Sequence, residues 1–288
     1  MLPKINSLWE FMIVFPNDAA CRSYYEKLRW PQGISCPHCK KRKIYTYADN
    51  IRYKCASCRK QFRVTTGTIF DRRNIPLEKF FLAYYLLTST KKCISSIQLG
   101  RYLCVTQKTA WSLSHKIRKT LEQPKAILKG TVEADETYIG GRRRFTKRGR
   151  GAAHKTPVFG ILERNGGLRI FPVENVKAAT LKPLIYKHVK QGSIVMTDEF
   201  RVYSGLSKDF IHNTCNHGAK QYVVKGTNIH TNSIEGFWSI LKRGIRGIYH
   251  RPSRKYLKNY CAEFEFRYNT RGLTDSNRFI AALLKAKN

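Results

Sequence analysis

Three acidic residues in this sequence have types and positions suited to binding divalent metal ions. Asp135 lies in the segment TVEADETYIGG, Asp198 in SIVMTDEF and Glu235 in HTNSIEGFWSILKR. Sites that cleave phosphodiesters with two metals hold the cations about 3.5–4 Å apart, and carboxylate oxygens are the ligands that such hard cations take. The three acids therefore predict a catalytic site with two Mg²⁺ or Mn²⁺ ions.

The segment that carries Glu235 is predicted to be an amphipathic helix. Its apolar residues recur at helical spacing and should face a sheet: Ile234, Phe237, Trp238, Leu241 and Ile245. Glu235 borders this stripe, and Lys242 follows nearly two turns later, about 10 Å along the axis. We expect Glu235 to bind metal and Lys242 to hold a DNA phosphate. Asn232, one turn before Glu235, could hydrogen-bond near the metals or cap the helix.

The neighbours of the two aspartates leave alternatives open. Glu136 and Glu199 each follow one of them directly, and adjacent side chains of a strand point to opposite faces. One member of each adjacent pair is therefore expected to be solvated or structural. Glu133 shares the face of Asp135 if the strand is regular, so the first ligand depends on the register.

The elements that must position these acids occur in an informative order. A strand is predicted over residues 132–139, a hairpin over 158–164 and 168–173, a helix over 178–190 and another strand over 193–197. The late helix with Glu235 follows them. This order is typical of a ribonuclease-H-like α/β domain, in which the first strand and a neighbouring later strand each present an Asp and a helix presents the third acid.

Four cysteines form the strongest local motif. Cys36, Cys39, Cys55 and Cys58 have the spacing C-x2-C-x15-C-x2-C of a zinc ribbon, in which two tight turns supply four thiolates to one tetrahedral ion. Short alternating strands are predicted around a turn at 49–50. We expect a structural Zn²⁺ here, because four thiolates leave no open position for catalysis.

A predicted helix-turn-helix separates the ribbon from the first acid. The segments SSIQLGRYL and TQKTAWSLSHKIR are helical in pattern, and a break lies between them. Thr106 is the expected N-cap of the second helix. Gln107 and Lys108 would then face the major groove of DNA, while Trp111 packs inward. The alternative is an ordinary helical hairpin.

The charge of the chain indicates a polyanionic partner. Its 288 residues include 54 Lys+Arg and 19 Asp+Glu, a formal net charge of +35, with 42% hydrophobic residues. Such an excess of positive charge favours nucleic acid, and the apolar content suits a folded chain. Apolar runs of five and eight residues are too short to span a bilayer, which needs roughly 20. We therefore expect no membrane association, no secretion signal and a protein that lies inside a cell.

Two basic segments fit a DNA substrate. The loop GRRRFTKRGRGAAHK contributes Arg142, Arg143, Arg144, Lys147 and Arg148, and the region after the last catalytic helix begins with Lys242, Arg243 and Arg246. Such charges bind DNA backbone without reading sequence. The alternative for the loop is a disordered surface segment.

The predicted architecture is multidomain α/β. We expect an N-terminal helical segment over residues 1–30, a zinc ribbon over 31–72, a helix-turn-helix DNA-binding region over 73–122 and the ribonuclease-H-like catalytic domain over 123–288.

These motifs together resemble a known family. FPNDAACRSYYEKLRWPQGISCPHC, YKCASCRKQFRVTTGTIFDRRNIPL, VEADETYIGG, TDEF and HTNSIEGFWSILKRGIRGIYH are similar to the DDE transposases of bacterial insertion sequences that combine a zinc ribbon with a ribonuclease-H-like core, a group related to the Merlin elements. The resemblance runs nearly end to end. It implies Asp135, Asp198 and a third residue as ligands of two Mg²⁺ or Mn²⁺ ions. The group's third position is Asn or Glu followed by Lys, which fits Asn232 or Glu235, and the step to Lys242 favours Glu235.

The activity implied by the resemblance is metal-dependent hydrolysis at transposon ends, followed by attack of the freed 3′-OH on target DNA. The partners would be double-stranded transposon ends and target DNA, bound by a homodimer or higher oligomer. The resemblance also implies a cytoplasmic, nucleoid-associated protein of a bacterial cell. The alternatives are a non-catalytic zinc-ribbon and helix-turn-helix DNA-binding regulator, a domesticated transposase, or a simple structure-selective nuclease.

Overall fold

The computed structural model describes residues 5–72, 74–90, 93–123, 126–140, 155–215 and 229–286. The elements before the first acid are α1 (Leu8–Val14), α2 (Asp18–Arg29), β1 (Ile44–Thr46), β2 (Tyr53–Cys55), β3 (Gln61–Phe62), α3 (Leu77–Ser89), α4 (Ser96–Leu103) and α5 (Gln107–Thr120). Among the described residues, no helix is both long enough and apolar enough to cross a membrane.

The remaining elements carry the acids. They are β4 (Thr131–Ile139), β5 (Thr156–Glu163), β6 (Leu168–Pro172), α6 (Ala178–His188), β7 (Ile194–Asp198), β8 (Ile211–Cys215), α7 (Asn232–Gly244), a π-helical turn (Ile245–Tyr249), α8 (Arg254–Asn269) and α9 (Asp275–Leu284). The chain forms two compact units, one of Met1–Leu121 with Gly272–Asn288 and the other of Glu122–Arg271.

The C-terminal helix α9 corrects the expected domain boundary, which placed everything from residue 123 onward in the catalytic domain. The side chain of Phe279 is completely buried in the first unit. Its ring centroid lies 5.7 Å from that of Phe11 and 5.9 Å from that of Phe81. Burial of such an aromatic cluster contributes strongly to stability. Helix α9 therefore belongs to the core of the N-terminal helices.

The predicted ribbon strands form an antiparallel sheet in the order β1, β2, β3. The ring of Trp30, at the end of α2, lies edge-on to Tyr53 and Phe62 of this sheet. The Tyr53 hydroxyl donates to Glu26 of α2 at 2.7 Å. The ribbon and the preceding helix therefore share one small core, and they are not separate domains.

Helices α4 and α5, joined by a short turn, lie over the two segments that were predicted to form a helix-turn-helix. Thr106 accepts a hydrogen bond from the backbone N–H of Thr109 and is the N-cap of α5, as expected. Cys104 ends α4 in the left-handed conformation with φ 49°. Trp111 differs from the expectation of a core residue, because it is only half-buried and its ring lies against His115 at 4.4 Å.

The second unit is built on a five-stranded sheet in the order β6-β5-β4-β7-β8. Strands β4, β5 and β6 pair in antiparallel fashion, whereas β7 pairs in parallel with both β4 and β8. This topology is ribonuclease-H-like, which confirms the predicted fold class of the unit.

Helices cover the two faces of this sheet. Val132 and Ala134 of β4 point into a core that includes Leu181 and Ile185 of α6. Because side chains alternate along a strand, the odd-numbered residues of β4 face the opposite side, which α7 covers. The predicted apolar stripe, which runs along α7 into the π-helical turn, is buried at 0–4% exposure: Ile234, Phe237, Trp238, Leu241 and Ile245.

Candidate active site

Asp135 and Asp198 lie level with each other on adjacent parallel strands. The pairing of β4 with β7 joins Glu133 to Met196, and two residues further along both strands come the two aspartates. Residues two apart on a strand share a face. The indole N–H of Trp238, on α7, donates to Oδ2 of Asp135 at 2.9 Å. The strands therefore bring both carboxylates to the face beneath α7.

The Asp135 carboxyl is strongly perturbed by its surroundings. Burial raises its pKa to about 7, and the negative charges of Glu136 and Asp198 act in the same direction. The hydrogen bond from Trp238 opposes this effect. A carboxyl that burial and like charges keep partly neutral near pH 7 is a group whose ionised form a bound cation would stabilise.

Gly160 makes room for the side chain that orients Asp135. It lies opposite Asp135 on β5. A Cβ at this position would lie 2.6 Å from two ring carbons of Trp238 and 3.0 Å from Cδ1 of Ile234. The packed indole ring cannot move aside as the end of a flexible side chain can, so a larger residue at 160 would displace α7 or the ring.

Gly160→Ala is expected to lower the free energy of unfolding by about 1–3 kcal/mol, because the added methyl group overpacks the contact between β5 and α7. Gly236→Ala is the matched control, since a Cβ there meets nothing within 4 Å. It should raise the free energy of unfolding by about 0.5–1 kcal/mol through helix propensity. Urea unfolding measures both. Equal stability of wild type and Gly160→Ala would contradict this packing.

The acids adjacent to the two aspartates have structural or solvated positions. Glu136 is 8% exposed and accepts a hydrogen bond from the Tyr203 hydroxyl at 2.9 Å on the face away from α7. Glu199 is exposed. The backbone N–H of Phe200 donates to Oδ1 of Asp198 at 3.1 Å, which fixes this carboxylate where β7 ends.

Glu235 and Lys242 lie on the helix that covers this face. The hydroxyl of Thr231 donates to Oε1 of Glu235 at 3.0 Å. Burial lowers the pKa of Lys242, while the negative charges of Asp135 and Glu235 raise it. The Lys242 ammonium therefore lies in the field of both acids. Asn232 is the first residue of α7 and is exposed, and it is not the N-cap.

Glu133 shares the face of Asp135 but has a different environment. Its side chain is fully buried and bonds to Arg164 at 2.7 Å. Sequence reasoning left Glu133 and Asp135 open as the first ligand and did not single out Arg164, which follows β5. Nothing in the local pattern distinguishes that arginine from the many other basic residues of the chain.

The four cysteines are positioned to bind a structural zinc ion. Within the part of the chain that the structure describes, they are the one group of three or more His, Cys, Asp or Glu residues whose ligand atoms all lie within 4.8 Å of one another. Sγ–Sγ distances are 3.6 Å for Cys36 with Cys58 and 3.5 Å for Cys39 with Cys55. A tetrahedral ion with Zn–S bonds of about 2.3 Å needs sulfur separations of about 3.8 Å, so the site fits zinc closely.

The two knuckles of this site have matching backbones. Lys40 and Arg59 each follow the second cysteine of a pair and have φ near 60°. Their N–H groups donate back to the carbonyls of Cys36 and Cys55.

The three acids are less tightly gathered than the cysteines. Asp135, Asp198 and Glu235 share one side of the sheet, but their ligand atoms do not all lie within 4.8 Å of one another, as those of the cysteines do.

Some of the residues expected to contact DNA are exposed, and others lie outside the part of the chain that the structure describes. Gln107 and Lys108 are exposed at the start of α5, and the Gln107 amide donates to Ser96 at 2.8 Å. Arg243 and Arg246 are exposed after Lys242. The expected basic-loop contacts lie outside the described residues: Arg142, Arg143, Arg144, Lys147 and Arg148.

Comparison with known proteins gives two family matches. Residues 127–269 match the model of the ISXO2-like transposase domain, and residues 16–61 match that of a transposase zinc-ribbon domain. An uncharacterized protein in transposable element ISH50 of Halobacterium salinarum is 29% identical over 276 residues, which cover 88% of this chain and 91% of the relative.

Two further similarities are shorter or weaker. An uncharacterized transposase-like protein of Haemophilus influenzae is 33% identical over 114 residues, which cover 39% of this chain and 89% of the relative. The solved Mos1 transposase paired-end complex with left transposon end has a TM-score of 0.27 at 13% identity, covering 72% of this chain and 80% of that chain.

Proposed function

Because the chain belongs to the insertion-sequence transposases that join a zinc ribbon to an ISXO2-like transposase domain, we propose that it catalyses DNA transposition. It would hydrolyse phosphodiesters at transposon ends and transfer the freed 3′-OH to target DNA. The observation that carries the proposal is the level placement of Asp135 and Asp198 on adjacent strands beneath the helix of Glu235.

The side chains at this site fit two Mg²⁺ or Mn²⁺ ions. Asp135, Asp198 and Glu235 would hold them, since all three offer the hard oxygen ligands that such ions take. When bound, the two ions would activate the attacking oxygen and stabilise the leaving 3′ oxygen. The raised pKa of Asp135 supports this assignment, because the site gathers negative charge at a buried position.

The chain's own groups orient the reactants around those ligands. Trp238 fixes the orientation of the Asp135 carboxyl by donating to its Oδ2. Lys242 would hold a DNA phosphate, since its ammonium is half-buried beside the acids. We assign Glu235 rather than Asn232 as the third ligand, because Glu235 lies in the electrostatic field that Asp135 and Lys242 share.

DNA would be bound by several parts of the chain. Gln107 and Lys108, exposed at the start of α5, are suited to the major groove. Arg243 and Arg246, with the arginines and lysine of the basic loop, would contact phosphates. We propose that a homodimer or higher oligomer forms on DNA, since two transposon ends must be brought together.

The test is cleavage of a labelled duplex that carries the terminal repeat of the chain's own element, with Mg²⁺ or Mn²⁺. Wild type and Glu199→Gln, which changes the exposed neighbouring acid, should cut the repeat end and join it to target DNA. Asp198→Asn should do neither. Specific binding without cutting by wild type under any metal condition would instead favour a DNA-binding regulator. Cutting without joining would favour a simple nuclease.

A further inference from the structure

A buried ionic cluster lies where helix α7 begins. The side chain of Glu133, on β4, has no exposed surface. Its Oε1 accepts a hydrogen bond from Nε of Arg164 at 2.7 Å, and its Oε2 accepts one from the backbone N–H of Ile234 at 2.9 Å. A charged carboxylate is rarely buried so completely unless protein donors compensate it, and here each oxygen has one.

Helix α7 lacks a side-chain cap of its own. Thr231 occupies the N-cap position, but its side chain accepts no backbone hydrogen bond there. The hydroxyl donates instead to Glu235. Ile234 is the third helical residue, whose N–H an N-cap side chain normally satisfies. Glu133 supplies that acceptor from a neighbouring strand, and its negative charge also lies at the favourable end of the helix dipole.

Arg164 fastens the residue that leads into the helix. Its Nη2 donates to the backbone carbonyl of His230 at 2.7 Å and contacts Nδ1 of the same residue at 2.9 Å. The same Nδ1 lies 3.4 Å from Oε1 of Glu133, so His230 belongs to the cluster as well. Glu133 of β4 therefore holds Ile234, inside the helix. Arg164, which follows β5, holds His230, just before the helix.

We infer that Glu133 is a positioning residue, which with Arg164 locks the start of α7 to strand β4 so that Glu235 is set against Asp135; this inference rests on the proposed function. The same strand carries Glu133 and, two residues on, Asp135. Strand β4 therefore carries Asp135 and also holds α7, the helix that bears Glu235. Glu133 is not itself a ligand, because both of its oxygens are occupied by protein donors and shielded from solvent.

Glu133→Gln tests the inference, and Glu265→Gln is its matched control. Glu265 is a second buried glutamate of the same unit. It also pairs with an arginine, Arg169 at 3.2 Å, and accepts a backbone N–H, that of Ile170 at 3.2 Å. However, it joins α8 to β6 rather than α7 to β4. A general loss of stability should affect both variants alike, whereas loss of positioning should affect Glu133→Gln alone.

Hydrogen exchange of the zinc-loaded full chain, without Mg²⁺ or Mn²⁺, measures the positioning without any activity. Amides of residues 232–238 should exchange at least tenfold faster in Glu133→Gln than in wild type, and at wild-type rates in Glu265→Gln. A similar change in both variants, or in neither, overturns the inference. If Glu133→Gln does not fold, Glu133→Asp keeps the charge but withdraws the carboxylate by one methylene, and the same amides should exchange faster.

Metal dependence tests the functional consequence. Loss of a residue that orients a ligand typically weakens metal affinity 10–100-fold. The Mg²⁺ concentration for half-maximal cleavage should therefore rise by roughly 10–100-fold in Glu133→Gln and stay unchanged in Glu265→Gln. Equal shifts in the two variants overturn the inference. Absence of cleavage by wild type would instead reject the proposed function, and the exchange rates of residues 232–238 would still decide whether Glu133 holds α7.

Discussion

Asp135→Asn is expected to abolish DNA cleavage and, at the same time, to stabilise the zinc-loaded protein above pH 7 when Mg²⁺ and Mn²⁺ are absent. The loss of cleavage should be at least about a thousandfold, which corresponds to about 4 kcal/mol of transition-state stabilisation, because the amide is a poor ligand for the metal pair. The gain in stability follows from the burial that raises the pKa of the carboxyl to about 7. Asparagine keeps the shape and can still accept the Trp238 hydrogen bond.

The sign and the pH window of this gain follow from proton linkage. The pKa rises from an ordinary value of 3.8 to about 7 on folding, so between these values the folded state binds more protons than the unfolded state. Wild-type stability therefore falls as pH rises through this window. The full cost, on the order of 4 kcal/mol, applies above about pH 7. The variant has no such cost.

Chemical unfolding of zinc-loaded wild type and Asp135→Asn, without Mg²⁺ or Mn²⁺, at several pH values measures this difference. It should be smallest below about pH 4, grow up to about pH 7 and then level off. Glu199→Gln, which alters an exposed acid, should follow wild type throughout. Adding Mg²⁺ should stabilise wild type more than the variant, since only wild type offers the full ligand set. A pH-independent difference would contradict the raised pKa of Asp135.

The features that sequence predicted best depend on local periodicity. The apolar stripe of α7 has the spacing of one helical face, and all five of its residues are buried. The ribonuclease-H-like order followed from the succession of strands and helices, because short connections leave few ways to pair them. The N-cap role of Thr106 and the four-cysteine site followed from residue types at fixed spacings.

The features that sequence could not predict depend on contacts between distant segments. Glu133 and Asp135 have the same strand parity, and only the donors supplied by Arg164 and Ile234 distinguish them. Trp238 was expected to be a core residue, and it also donates to Asp135. That contact requires the absence of a side chain at Gly160, 78 residues earlier in the chain. The periodicity of the sequence does not reveal such a contact between distant segments.

Packing at the chain terminus escaped prediction for a related reason. The amphipathic pattern of α9 predicts a helix with one buried face, but it does not say which core that face joins. Phe279 completes an aromatic cluster with Phe11 and Phe81 of the first unit. Phe279 is far from Phe11 and Phe81 in sequence. Such a pairing is possible because the entropic cost of closing a loop grows only slowly with loop length.

The second large effect concerns the zinc ribbon, for which Cys36→Ser is expected to remove the metal and unfold the small sheet. Structural zinc contributes about 10–16 kcal/mol in comparable peptides, which is as large as the stability of a typical domain. Strands β1, β2 and β3 are only two or three residues long. Without metal, the contacts of Trp30 with Tyr53 and Phe62 are too few to order these strands.

Metal content and hydrogen exchange of the purified full chain measure this effect. Wild type should contain one zinc per chain, and Cys36→Ser close to none. Amides of residues 44–62 should lose protection in the variant, whereas those of the five-stranded sheet should keep it, because Glu122–Arg271 forms its own compact unit. Cys104→Ser is the control, since that thiol is exposed at the end of α4 and lies outside the zinc site.

The two outcomes separate a local from a global role of the metal. Loss of zinc with protection lost only in the first unit would establish that the ribbon metal stabilises the N-terminal unit and that the acid-bearing sheet folds without it. Loss of protection in both units would mean that the sheet of Glu122–Arg271 depends on the ribbon for its stability. Retention of one zinc by Cys36→Ser, with unchanged exchange over residues 44–62, would contradict the four-thiolate site, because three thiolates and a serine hydroxyl bind zinc far more weakly.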